Sequence, residues 1–214
     1  MKKIILLVCL AITAGVSAQT DTTSKFYKAM KKQVAIVDTA FSLPSLQQAY
    51  NGFERIANAE KKEWLPSYYM AYCLVMESYL DDVNKADEYC DQASRQLDHA
   101  DSISPNNSEI FVLRAMCASA RIRVNPMTRG AKYGKESGEW LGKAQAIDSL
   151  NPRVPFLQAQ GLYYMPAAFG GGKDKAKPVF EEAIRKYDAF KPASPIHPHW
   201  GRFRAQELLN ECSK

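Results

Sequence analysis

Histidine is scarce in this chain, and no run of basic residues is longer than two. Only three histidines occur in 214 residues. Neither a Ser-His-Asp pattern nor a paired-carboxylate motif accompanies them, so the sequence holds no catalytic constellation. His197-Pro198-His199 sets two imidazoles close together, but no acidic or cysteine residue lies beside them. A metal site takes three or four ligands, and Pro195 and Pro198 make this stretch an extended linker instead. His99 stands alone on a predicted helix face. Without a lysine and arginine run, the chain lacks the footprint of a nucleic-acid face. Cysteine occurs five times with no C-x-x-C spacing, which excludes a dense disulfide framework. No stretch alternates like a strand for long. The chain is read as non-enzymatic, with no cofactor, no metal and no nucleic-acid partner.

What is present begins at the N-terminus. Lys2 and Lys3 form a positive start, Ile4 to Ile12 is apolar, and Val16-Ser17-Ala18 ends on a small residue. This is the pattern of a secretory signal peptide cleaved after Ala18. A spanning helix needs about 20 apolar residues, and the run stops at Thr13. Cys9 lies inside the apolar run after bulky Val8, so it does not form a lipidation signal. No later segment is apolar enough to span a bilayer. The short Lys-Lys start looks bacterial, and the expected location is periplasmic or secreted. Cleavage removes two lysines, which lowers the formal charge from +5 to +3. Residues 19–24 form a polar lead, and residues 25–214 form one domain large enough for a real core.

From Lys25 onward, apolar residues recur at spacings of three and four, the period of helices. Pro44, Pro66, Pro105-Asn106-Asn107, Asn151-Pro152, Gly170-Gly171-Gly172 and the stretch Pro192 to Pro198 punctuate the chain. They divide it into pairs at about 24–41 and 45–60, 66–80 and 83–103, 108–124 and 127–149, 153–165 and 173–190. A last helix follows from about His199 to Cys212. Small residues seven apart repeat every 45 residues: Ala86 and Ala93, Ala131 and Gly138, Ala176 and Ala183. Cys73, Cys117 and Gly161 recur every 44. Such a register marks stacked helix hairpins.

Leu157, Gly161 and Tyr164, followed by Ala176, Phe180 and Ala183, carry the resemblance to a known family. So do Tyr69, Cys73 and Met76 with Ala86, Cys90 and Ala93. The chain resembles the tetratricopeptide repeat family, as a divergent exported bacterial member with repeats longer than the usual 34 residues. The loop from Phe169 to Ala176 is similar to one in exported bacterial members. The resemblance implies an all-α fold, an α-solenoid of four long hairpins with a C-terminal capping helix. It also implies an inner surface lined by the first helix of each pair. Carried onto this chain, the ligand-facing positions are Ser67, Met70, Leu74 and Glu77; Phe111, Arg114, Ala118 and Arg121; and Pro155, Gln158, Leu162 and Met165. Met70, Phe111, Arg114, Arg121, Gln158 and Leu162 are the candidate binding residues.

Arg114 and Arg121 are seven apart and share one helix stripe. They suit a carboxylate; the other reading is an arginine face engaged in surface pairs. Gly130, Gly134, Gly138 and Gly142 fall every four residues on one helix, where each costs about 1 kcal/mol relative to alanine. They serve either close helix packing or a cleft. Gly170 to Gly172 lacks the lysine and serine or threonine ending of a phosphate loop and is read as a turn. Cys73 and Cys117 on neighbouring repeats are too far apart for a disulfide. Cys73–Cys90 is the one pairing within reach, against the reading of buried free thiols. The leading functional expectation is an exported scaffold that binds a protein or peptide segment in its groove. The alternative is a periplasmic binding protein for a small acidic or hydrophobic ligand.

Overall fold

The structure is a computed structural model and describes residues 22–214. The signal segment 1–18 and residues 19–21 of the lead lie outside the described residues. Nine α-helices and two short 3-10 turns make up the described residues, and no strand occurs among them. The helices are α1 (Lys25–Val37), α2 (Leu43–Ala59), α3 (Leu65–Leu80), α4 (Ala86–Ile103), α5 (Ser108–Ile122), α6 (Pro126–Ile147), α7 (Arg153–Tyr164), α8 (Lys173–Ala189) and α9 (Arg202–Cys212).

Local chemistry sets these boundaries. Ser24, expected in the polar lead, is the N-cap of α1: its hydroxyl accepts from the Tyr27 amide at 3.1 Å. Ser42, Asn107 and Asn125 cap α2, α5 and α6 in the same way. Each removes one of the orphan amide donors at a helix start. Pro44, Pro66 and Pro126 stand in first turns, where a missing donor costs nothing.

Each helix packs against the next, α3 also meets α5, and α9 closes over α8. Ala86, Ala93, Ala176 and Ala183 are fully buried, so the small-residue register marks helix contacts in α4 and α8. It fails in α6. There Ala131 and Gly138 are exposed, while Ser137, Leu141 and Ala144 are buried. The face of α6 that meets α5 is rotated away from the repeat register. Ser137 Oγ to Ser119 Oγ at 3.1 Å and Ser108 Oγ to the Ala144 carbonyl at 3.0 Å tie this face to α5.

After α8 the chain runs back across the molecule before α9 begins. Trp200 donates from Nε1 to the Tyr68 hydroxyl at 2.9 Å and lies over Tyr72 at 5.3 Å. His197 meets the edge of Trp64, and His199 Nε2 pairs with Asp38 at 3.1 Å. The linker read from the sequence is therefore a packed strap over α1 and α3.

Arg153, at the start of α7, anchors the strap. It has no solvent exposure. One guanidinium nitrogen donates to the Pro198 carbonyl. Another pairs with Glu109 at 3.3 Å. The plane lies over Phe190 at 4.8 Å and Trp200 at 5.3 Å. Asn151 donates to both Ser108 and Glu109 and receives the Arg153 amide. Burial pushes the Glu109 carboxyl up, and the facing Arg153 draws it back.

Removing one partner of such a buried pair leaves the other charge uncompensated. Arg153→Ala is expected to destabilise the protein by about 3–5 kcal/mol, read as a lower urea midpoint. Arg153→Met combined with Glu109→Gln should cost clearly less than the single change. Equal losses would show that the ion pair is not what Arg153 contributes.

Candidate functional site

The positions carried over from the family do not form one groove. On α3 the stripe Ser67, Met70, Leu74 and Glu77 is buried. Ser67 Oγ lies 2.9 Å from His99 Nδ1 on α4, so this stripe is turned toward a neighbouring helix. The face that meets the strap is formed by Trp64, Tyr68 and Tyr72 instead. A shift of one residue rotates a helix position by about 100°, enough to move Met70 from a groove lining into the core.

Arg114 and Arg121 are also engaged within the chain. Arg114 bonds Asp98 at 2.8 Å and reaches Asp101 at 3.7 Å. Arg121 bonds Asp91 at 2.6 Å and Asp87 at 3.2 Å, and Arg129 from α6 joins Asp87 at 2.8 Å. Arg114 further lies 5.2 Å above Trp140, which packs on Phe111 at 5.5 Å. In place of a positive centre awaiting an outside carboxylate, these arginines meet carboxylates from α4. Asp87, Asp91, Asp98 and Asp101 recur at spacings of four, seven and three. That spacing in the sequence was the available signal.

Gln158 and Leu162 lie elsewhere, on α7, which follows α6 and packs on it less than on α8. Arg129, Tyr133 and Trp140 occupy the flank of α6 on the α4 side. The glycines occupy the opposite flank. A Cβ added at Gly130, Gly134, Gly138 or Gly142 would meet nothing within 4 Å. No side chain packs against this surface, so close packing does not account for it. On α7 the stripe Val154, Gln158, Gly161 and Met165 changes from buried to exposed along its length. A Cβ at Gly161 also meets open space. α7 is thus buried over its first turns and open toward Met165.

The exposed face of α6 and the open end of α7 thus carry bare backbone, with exposed apolar residues beside it. Met127 is 83% exposed, Tyr164 60% and Met165 40%. Phe169 is exposed nearby. The triple-glycine turn holds this end of α7. Gly170 and Gly172 have φ of +87° and +107°, and the Gly172 amide donates to the Leu162 carbonyl at 2.8 Å. A Cβ on Gly171 would collide with the Met165 backbone, so only glycine permits this approach. Arg204 on α9 donates to the Tyr164 hydroxyl at 2.9 Å and brings a cation beside it. Sequence periodicity alone could not locate this face, because it lies where a repeat contact is missing.

Two pockets sit at the α1 end. One, of about 480 Å³, has Phe26 and Ile56 with Lys25, Lys32 and Arg55 around it. The other, of about 470 Å³, lies between α1 and the strap.

Glu77 is the one buried acid of the carried-over stripe on α3. Burial, helped by Asp81, pushes its carboxyl up to about 7. The fold therefore favours its protonated form. That contribution is complete below the ordinary value of 4.5 and is lost as pH rises through about 7. Glu77→Gln should raise the urea midpoint at pH 8 relative to the natural chain, with the gap closing toward pH 5. A gap that does not change with pH would contradict this assignment.

No family model matches the chain, and no curated protein matches it. Among solved structures it is similar to the HusA haemophore from Porphyromonas gingivalis, with a TM-score of 0.80 and 39% sequence identity. The alignment covers 91% of this chain and 95% of that one. With that identity sustained across nearly the whole of both chains, this chain belongs to the family of the HusA haemophore.

Proposed function

We propose that this protein is an exported haem-binding protein that holds the porphyrin between the glycine face of α6 and the open end of α7. The reading rests first on the likeness to a haemophore along almost the entire chain. It corrects the expectation of a scaffold for protein segments, and the stripe of α3 that would line such a groove is buried within the chain. The small-ligand alternative is the one retained. The fold that presents these faces is a stack of four tetratricopeptide-like helix pairs, with α9 as the cap.

These faces suit the ligand chemically. Haem is a flat apolar plate with two carboxylates on one edge. Glycine on both helices leaves flat, side-chain-free surfaces. Met127, Met165 and Tyr164 beside them belong to the residue types that serve as haem ligands. Phe169 adds apolar surface, and Arg204 offers a cation to a propionate.

A haemin titration followed by the Soret band tests this. The natural chain should give a saturable spectral change. Gly134→Leu with Gly138→Leu should weaken binding by about tenfold or more, the equivalent of ~1.4 kcal/mol. Ala29→Trp, which fills the α1/α2 pocket, should leave it unchanged. No Soret change in the natural chain would overturn the proposal. Loss in Ala29→Trp alone would move the site to α1 and α2.

A further inference from the structure

Cys90 on α4 and Cys117 on α5 bring two buried sulfurs together across two neighbouring helices. The Cys90 thiol donates to the Cys117 backbone carbonyl at 3.4 Å. Both are free in the structure, as are Cys73 and Cys212. The one pairing the sequence left within reach, Cys73–Cys90, against the reading of buried free thiols, would have closed one helix pair on itself. The observed neighbours instead join α4 to the first helix of the next pair. A disulfide needs Cα atoms within about 7 Å and sulfurs ~2.05 Å apart. With the Cys90 sulfur already against the Cys117 backbone, rotation about the side-chain torsions brings the Cys117 sulfur toward it.

The surroundings favour the chemistry. Arg121 follows Cys117 by one helical turn, and its positive charge favours a thiolate at Cys90. Contact with Cys117 acts in the same direction at Cys90, while the Cys117 thiol is pushed up. One thiol is thereby the readier nucleophile.

We propose that Cys90 and Cys117 form a disulfide during export of the protein, cross-linking α4 to α5. This rests on the reading of the chain as exported, because disulfides persist in oxidising compartments. The co-reactant is a disulfide oxidant of the export compartment. The Cys90 thiolate attacks one oxidant sulfur and forms a mixed disulfide, and the other oxidant sulfur leaves as a thiol. Cys117, giving up its proton, then attacks the Cys90 sulfur and releases the second oxidant thiol. Two protein thiols are oxidised to one disulfide, and one oxidant disulfide is reduced to two thiols. Both sulfurs are buried in the folded chain, so the exchange belongs to the period before α5 closes on α4.

The test starts with mature chain that has been reduced and unfolded. It is refolded in a glutathione redox buffer, alkylated without reductant, and analysed by intact mass and peptide mapping. Two labels, on Cys73 and Cys212, are expected with a linked Cys90–Cys117 peptide. The same pattern is expected for protein collected from its native cells and alkylated directly. Cys117→Ser should take three labels. Four labels on the natural chain in either sample, or a linked Cys73–Cys90 peptide, would overturn the proposal. No haem enters this experiment, so a failed Soret titration and a failed linkage are told apart.

Discussion

The buried charge of Arg153 is the interaction on which the arrangement of the second half of the molecule depends. A guanidinium without solvent has to find carboxylate, carbonyl and aromatic partners inside the protein. Arg153 takes them from three separate segments: Glu109 at the start of α5, Asn151 in the turn before α7, and Pro198 with Trp200 in the strap. Meeting those demands holds the beginning of α7 against α5. It also draws the strap back over α3, where Trp200 reaches Tyr68 and Tyr72.

The same constraint fixes one end of α7. The N-terminal turns of α7 are fixed, with Val154, Phe156 and Leu157 buried. Its C-terminal turns are held by α8, α9 and the triple-glycine turn rather than by α6. A glycine stripe in a helix carries a cost in helix propensity, and in this molecule no packing contact offsets it. Under the proposed function, that side-chain-free face is room kept for a flat ligand.

Much of the helical architecture was legible in the sequence. The three- and four-residue periodicity located every long helix, and the proline and asparagine breaks located their ends to within a few residues. The small residues of α4 and α8 pointed to true contacts, because a close helix crossing excludes large side chains. The third copy of that register misled at Ala131 and Gly138. The identical spacing there faces open space, and Ser137, Leu141 and Ala144 make the contact instead. Arg114 and Arg121 were visible as a stripe. That α4 brings the aspartates to meet them depends on how two helices are rotated about their axes, and periodicity does not record this. Gln158 is exposed and Leu162 half-buried on α7, whereas Met70 went into the core.

By itself the sequence determined what short-range chemistry controls: an all-helical chain, its caps and breaks, and a glycine turn before α8. Each follows from residues within a turn or two of one another. The tertiary structure decided which faces are free. The strap's return onto α3, the pairing of the arginines with α4 and the meeting of Cys90 with Cys117 all join residues 13 or more positions apart. Their geometry is set by competing demands for burial and charge pairing across the whole molecule, so no local pattern in the chain could express them.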